Sequence, residues 1–75
     1  MKLNKNTWYI FHIKDYEVPT GGIIPGDSLK RKYLGNKFIG AIGLPKEKFY
    51  LVKREDGKEH LLSPETIASF EEVSN

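Results

Sequence analysis

Phe49-Tyr50-Leu51-Val52-Lys53-Arg54-Glu55-Asp56-Gly57-Lys58-Glu59-His60-Leu61-Leu62 is the stretch whose local chemistry decides the fold. An Asp-Gly pair accepts the positive φ angles of a two-residue type I′ turn, whose twist matches that of the strands it joins. Residues 49–55 and 58–62 therefore read as a β-hairpin turning at Asp56-Gly57. In that register Glu55 faces Lys58 and Arg54 faces Glu59, two pairs of opposite charge. Exposed pairs contribute roughly a few tenths of a kcal/mol each, so they select register more than they stabilise. Phe49, Leu51 and Leu62 then share one face and Tyr50, Val52 and Leu61 the other, so both faces can be covered, as in a small closed barrel.

Upstream, residues 28–34 and 37–44 flank Gly35-Asn36, a pair suited to a two-residue II′ turn, and form a second expected hairpin. It places Leu29, Tyr33, Phe38 and Ile42 on one apolar face. A competing pattern makes Asp27 an N-cap, 28–34 a short helix and Gly35 its terminator. Residues 7–13, β-branched and aromatic with no helical period, predict a strand with Tyr9, Phe11 and Ile13 inward. Trp8 and His12 are then left on a partly exposed face. Between these elements, Pro19, Gly21-Gly22 and Pro25-Gly26 interrupt residues 15–27, which read as one long loop of the kind that is often functional.

Downstream, Ser63-Pro64-Glu65 offers an N-cap residue, a proline at the first helical position and an acid at the positive helix end, which predicts one helical turn. A short closing strand over 69–73 follows, with Phe70 or Val73 inward; the alternative is a helix continuing through residue 72.

At 75 residues the chain has material for a single domain, expected over 1–75 with flexible ends at 1–6 and 74–75. A composition of 39% hydrophobic residues is too rich for a disordered chain. The absence of cysteine excludes a disulfide scaffold and thiolate zinc sites, and no apolar run approaches the roughly 20 residues that span a bilayer. A cytoplasmic location without membrane contact is the expectation. The net charge is +2, but residues 1–58 hold all 12 Lys and Arg against six acids, while residues 59–75 hold four acids and no base. A basic body of this kind accommodates an anionic partner or is a solvated surface.

The element order of strand, long excursion, two hairpins, helical turn and closing strand resembles the Src-homology-3-like (SH3-like) barrel over about residues 7–73. Lys14-Asp15-Tyr16-Glu17 is similar to the Asp-Tyr that opens the long loop of the signalling members, and Ser63-Pro64 lies where their proline-containing turn lies. The resemblance implies a mainly β, antiparallel SH3-like barrel of about five strands with one short helical turn. The signalling members bind polyproline helices with a tryptophan before the distal hairpin and a tyrosine in the helical turn. Here those regions hold Lys48-Phe49 and Ile67, and the sole tryptophan is Trp8, so that groove does not carry over.

No catalytic or metal motif accompanies these elements. His12 and His60 have no partner at a diagnostic spacing, and the glycines at 21–22 and 35–43 lack the lysine and hydroxyl of a phosphate loop. The chain is therefore expected to be non-enzymatic, with no cofactor and no metal. The leading expectation is an interaction module that binds a protein through aromatics, with Trp8, Tyr16 and Tyr33 as anchors. The alternative is nucleic-acid binding by the basic cluster Lys30, Arg31, Lys32 and Lys37, with an aromatic stacking a base.

Overall fold

The computed structural model describes residues 3–73. They form β1 (Thr7–Ile13), β2 (Tyr16–Glu17), β3 (Ile23–Ile24), β4 (Ser28–Ile39), β5 (Glu47–Lys53), β6 (Glu59–Leu62), a 3₁₀ turn (Pro64–Thr66) and β7 (Ile67–Glu72). Five strands make one antiparallel sheet in the order β6-β5-β4-β1-β7, and β2 and β3 make a separate two-stranded ribbon. The chain is thus mainly β and antiparallel. β6 and β7 stand at the two ends of the order, and no ladder among the described residues joins them.

The central element is β4. Its first half, from Ser28 to Tyr33, pairs with β1, and its second half, from Lys32 to Ile39, pairs with β5. Between the halves the register slips: Tyr33 faces Val52, but Gly35 faces Leu51, so Leu34 is an extra residue. Such a bulge bends the strand and increases its twist. Gly35 is buried and has φ +150°, a region that costs a residue with a Cβ backbone strain. The hairpin expected at Gly35-Asn36 is therefore absent, as is the helix over 28–34. The glycine bends a continuous strand instead of reversing it. The reversal comes later, in the loop 40–46, where Leu44 N–H donates to Ala41 O at 3.1 Å. Phe38 and Ile42, expected on a covered face, are 59% and 105% exposed.

The Asp56-Gly57 hairpin forms, but its turn differs from the expected one. Arg54 N–H donates to Lys58 O at 2.8 Å and Gly57 N–H to Arg54 O at 3.0 Å, which closes a three-residue loop. Gly57 alone has positive φ, +89°, and the Asp56 carboxylate accepts from Lys58 N–H at 3.0 Å, a contact that holds the longer loop. One extra loop residue shifts the register by one. Lys53 faces Glu59 and Tyr50 faces Leu62, so Leu62 joins Tyr50 and Val52 on the inner face. The expected pairs Glu55/Lys58 and Arg54/Glu59 are absent; Arg54 meets Asp56 at 3.0 Å and Glu55 meets Lys30 at 3.9 Å.

β1 forms as its composition predicts, with Tyr9 and Phe11 buried and Ile13 packed at the margin of the core. The core comprises Tyr9, Phe11, Tyr33, Val52 and Leu62, flanked by Leu3, Ile13, Leu29, Tyr50, Ile67 and Phe70. Phe70 from β7 meets Tyr9 edge-on at a centroid distance of 5.7 Å, and Tyr33 meets Tyr50 edge-on at 5.5 Å. These are the offset geometries that ring quadrupoles favour. Ser63 does not cap the 3₁₀ turn with its side chain; its carbonyl instead accepts from Thr66 N–H and Oγ1 at 3.1 and 2.7 Å. The closing element is a strand rather than a helix. Within the 1–6 segment, residues 3–6 are tied to the sheet: Asn6 N–H donates to Tyr33 O and Asn4 N–H to Tyr9 Oη, both at 2.7 Å. The ends at 1–2 and 74–75 lie outside the described residues.

The long 15–27 segment is the β2–β3 ribbon, tied at its base. Ile13 N–H donates to Asp27 O, Lys14 N–H to Thr66 O, and Gly26 N–H to the Asp15 carboxylate.

Three substitutions test this construction by urea denaturation. Phe11→Ala empties a fully buried site and should cost about 3–5 kcal/mol, most of the stability of so small a chain, whereas Trp8→Ala on the half-buried opposite face should cost clearly less. Gly35→Ala should cost about 1–3 kcal/mol through backbone strain alone, since a Cβ there meets only Lys5 Cε at an ordinary 3.5 Å.

Candidate interaction surfaces

Cross-strand partners share a face of a sheet, so the register assigns each candidate residue to one side. Tyr9 faces Arg31 and Thr7 faces Tyr33, which puts Arg31 and Tyr33 on the inner face. Tyr33 is 5% exposed, and its hydroxyl donates to Asn36 Oδ1. Burial, followed by the charges that Tyr50 and Tyr9 would carry, pushes its phenol above the usual tyrosine value. Tyr33 is therefore a core residue, and its ring cannot serve as a surface anchor.

Trp8 and Lys32 face each other, as do Ile10 and Lys30, on the outer face. The bulge then has a second effect. Strict alternation would put Lys37 opposite in facing to Lys32, but the extra residue Leu34 restores it: Lys32 faces Lys53, and Lys37 faces Phe49 on the same outer side. The outer face thus gathers Trp8, Lys30, Lys32, Lys37 and Lys53. Lys30 Nζ lies 5.7 Å from the Trp8 ring centroid, a cation–π distance, and 3.9 Å from the Glu55 carboxylate.

Arg31 leaves this cluster. Its Nε–H donates to His60 Nε2 at 2.8 Å, and its Nη1 donates to the Lys30 carbonyl at 2.8 Å. With Nε2 an acceptor, the His60 proton sits on Nδ1, 3.2 Å from the Leu61 carbonyl. His12 is held between strands as well, with Nδ1 2.9 Å from Ser28 Oγ and Nε2 3.4 Å from the Glu71 carboxylate. This Ser-His-Glu contact lies on an open sheet face, with the His12 and Glu71 side chains 41% and 63% exposed. Among the described residues no three His, Asp or Glu side chains stand close enough to hold a metal ion, and no helix is long and apolar enough to cross a membrane.

Tyr16 is 60% exposed on the β2–β3 ribbon, together with Ile23 and Ile24. The β4–β5 end adds Phe38, Ile39, Ile42 and Leu44. Of these, Phe38 and Ile42 lay hidden in the sequence because apolar residues beside a turn pair read as a core face. The telling signal was their setting. Gly40-Ala41-Ile42-Gly43-Leu44-Pro45 is interrupted too often to build a strand, so its apolar side chains have no sheet to bury them.

No known protein family, no curated protein and no solved structure matches this chain.

The facing assignments predict opposite responses from neighbouring residues. Arg31→Ala should destabilise the fold by about 1–2 kcal/mol by leaving His60 Nε2 without its donor. Lys32→Gln should be neutral or slightly stabilising, because it relieves the like-charge opposition with Lys53. Thermal melts of the two variants beside the parent distinguish them.

Proposed function

We propose that the chain is a non-enzymatic SH3-like β module that binds a protein partner through the apolar ends of its two exposed hairpins. The strand order β6-β5-β4-β1-β7, the ribbon inserted between β1 and β4, and the 3₁₀ turn before β7 support the barrel-like assignment. One observation carries the function. Of the eight large hydrophobic residues exposed among the described residues, seven fall between Tyr16 and Leu44. They form two groups, one on the ribbon next to the start of β4 and one at its far end, and each exposed side chain forgoes roughly 1.5–3 kcal/mol of burial, which a partner surface can recover. Tyr16 remains an anchor from the expected set, Trp8 contributes from the margin, and Phe38, Ile39, Ile42 and Leu44 replace Tyr33.

The outer face favours a second reading. Lys30, Lys32, Lys37 and Lys53 beside Trp8 form the arrangement that holds a phosphate backbone while an aromatic stacks a base. Glu55, Glu59 and Glu71 oppose it by placing carboxylates against Lys30, Lys53 and His12.

Affinity capture from the source cell, with parent and Phe38→Ser/Ile42→Ser proteins in parallel, separates the two readings. Both positions are exposed, so the double variant should fold normally and lose the captured protein. A partner retained by the double variant would count against the hairpin surface. Tight oligonucleotide binding that weakens steeply with salt and disappears in Lys32→Glu/Lys37→Glu would transfer the function to the outer face.

A further inference from the structure

A cleft of about 440 Å³ opens where residues 3–5 cross the inner face of β4 and β5 beyond the bulge. Its walls are Leu3 and Tyr50, and its polar groups come from Lys5, Lys48, Asn36 and Tyr33, with Asn4 at the rim. No carboxylate lines it. The bulge and the tethered N-terminal segment build the cleft. The stem of Lys5 lies over Gly35, where a Cβ would come within 3.5 Å of its Cε, and Lys48 Nζ lies 5.6 Å from the Tyr50 ring centroid. None of the ion pairs among the described residues involves Lys5 or Lys48.

The hydrogen-bond accounting has one direction. Tyr33 stays protonated and donates to Asn36 Oδ1, which occupies the amide oxygen and leaves the Asn36 NH₂ as a donor. Two lysines and an amide NH₂ therefore line a cleft that contains no carboxylate. We propose that this cleft binds a phosphate monoester, with its phosphate between Lys5, Lys48 and Asn36 and its organic group against Leu3 and the Tyr50 ring. A phosphate monoester carries between about 1.5 and 2 negative charges at pH 7, matching two ammonium groups; a carboxylate or a backbone phosphodiester carries one. The site borders the protein-binding surface, since Lys48 is the cross-strand partner of Phe38, but shares none of its anchors.

Amide chemical-shift titration of the ¹⁵N-labelled protein at low salt tests the assignment, with phenyl phosphate, a phosphoserine peptide, inorganic phosphate and acetate as separate ligands. Saturable shifts at Leu3, Lys5, Asn36, Lys48 and Tyr50 with phenyl phosphate, weakened at least about tenfold by Lys5→Gln and by Lys48→Gln, are the expected result. Both lysines are exposed, and the dispersion of the spectrum reports directly that the variants remain folded. Tighter binding of the peptide than of phenyl phosphate would identify a phosphorylated protein as the source of the ester, and the reverse a small molecule. Absence of saturable shifts in the cleft up to about 10 mM ligand, equal shifts with acetate, or unchanged affinity in both variants would overturn the proposal.

Discussion

The one-residue slip at Leu34-Gly35 is the constraint on which the remaining structure depends. A strand of 12 residues that pairs with β1 on one side and β5 on the other would, if straight, hold those partners in a flat sheet with no interior. The bulge bends it so that the inner faces of its two halves approach each other, and Tyr9, Phe11, Tyr33, Val52 and Leu62 meet in one cluster. Glycine provides this bend because φ +150° is costly for any residue with a Cβ. The same slip brings Lys37 to the outer face and leaves Asn36 and Tyr50 facing the cleft under residues 3–5.

A core of five buried side chains is small even for this length, and its composition compensates. Aromatic rings remove more surface from water per residue than aliphatic chains do, and their edge-on contacts add specificity to burial. Tyrosine solves a further difficulty at the margin of such a core, where backbone groups must also be satisfied. Tyr9 buries its ring while its hydroxyl accepts from Asn4, and Tyr33 buries its ring while its hydroxyl donates to Asn36. No buried side-chain polar atom among the described residues lacks a partner. The core leaves the apolar side chains of the hairpin ends exposed.

Chemical character on this scaffold divides by face. The inner face beyond the core holds uncompensated donors, the outer face holds lysines partly balanced by glutamates at the sheet margins, and the hairpin ends hold apolar side chains. Each surface suits a different chemistry, and of the three the cleft is the one tied to the core, through Tyr33 and Tyr50.

What the sequence determined by itself was local: strand composition over 7–13, a reversal at Asp56-Gly57, a helical turn at Ser63-Pro64, and the inward set Tyr9 and Phe11. These follow from side-chain alternation and from residues whose backbone preferences act within a few positions. Tertiary structure decided the rest. Whether Gly35 turns a chain or bends it depends on which strands lie alongside, and no neighbour in sequence carries that information. A single residue more in the 54–58 turn moved Leu62 into the core, because strand facing has a period of two and any slip inverts it. The candidate sites inherit the same limit. Tyr16 was legible as an exposed aromatic because it sits in a Gly- and Pro-rich segment, whereas Arg31 and Tyr33 took their face from pairing with β1 and Lys37 took its face from the bulge, neither of which is visible before the sheet is paired.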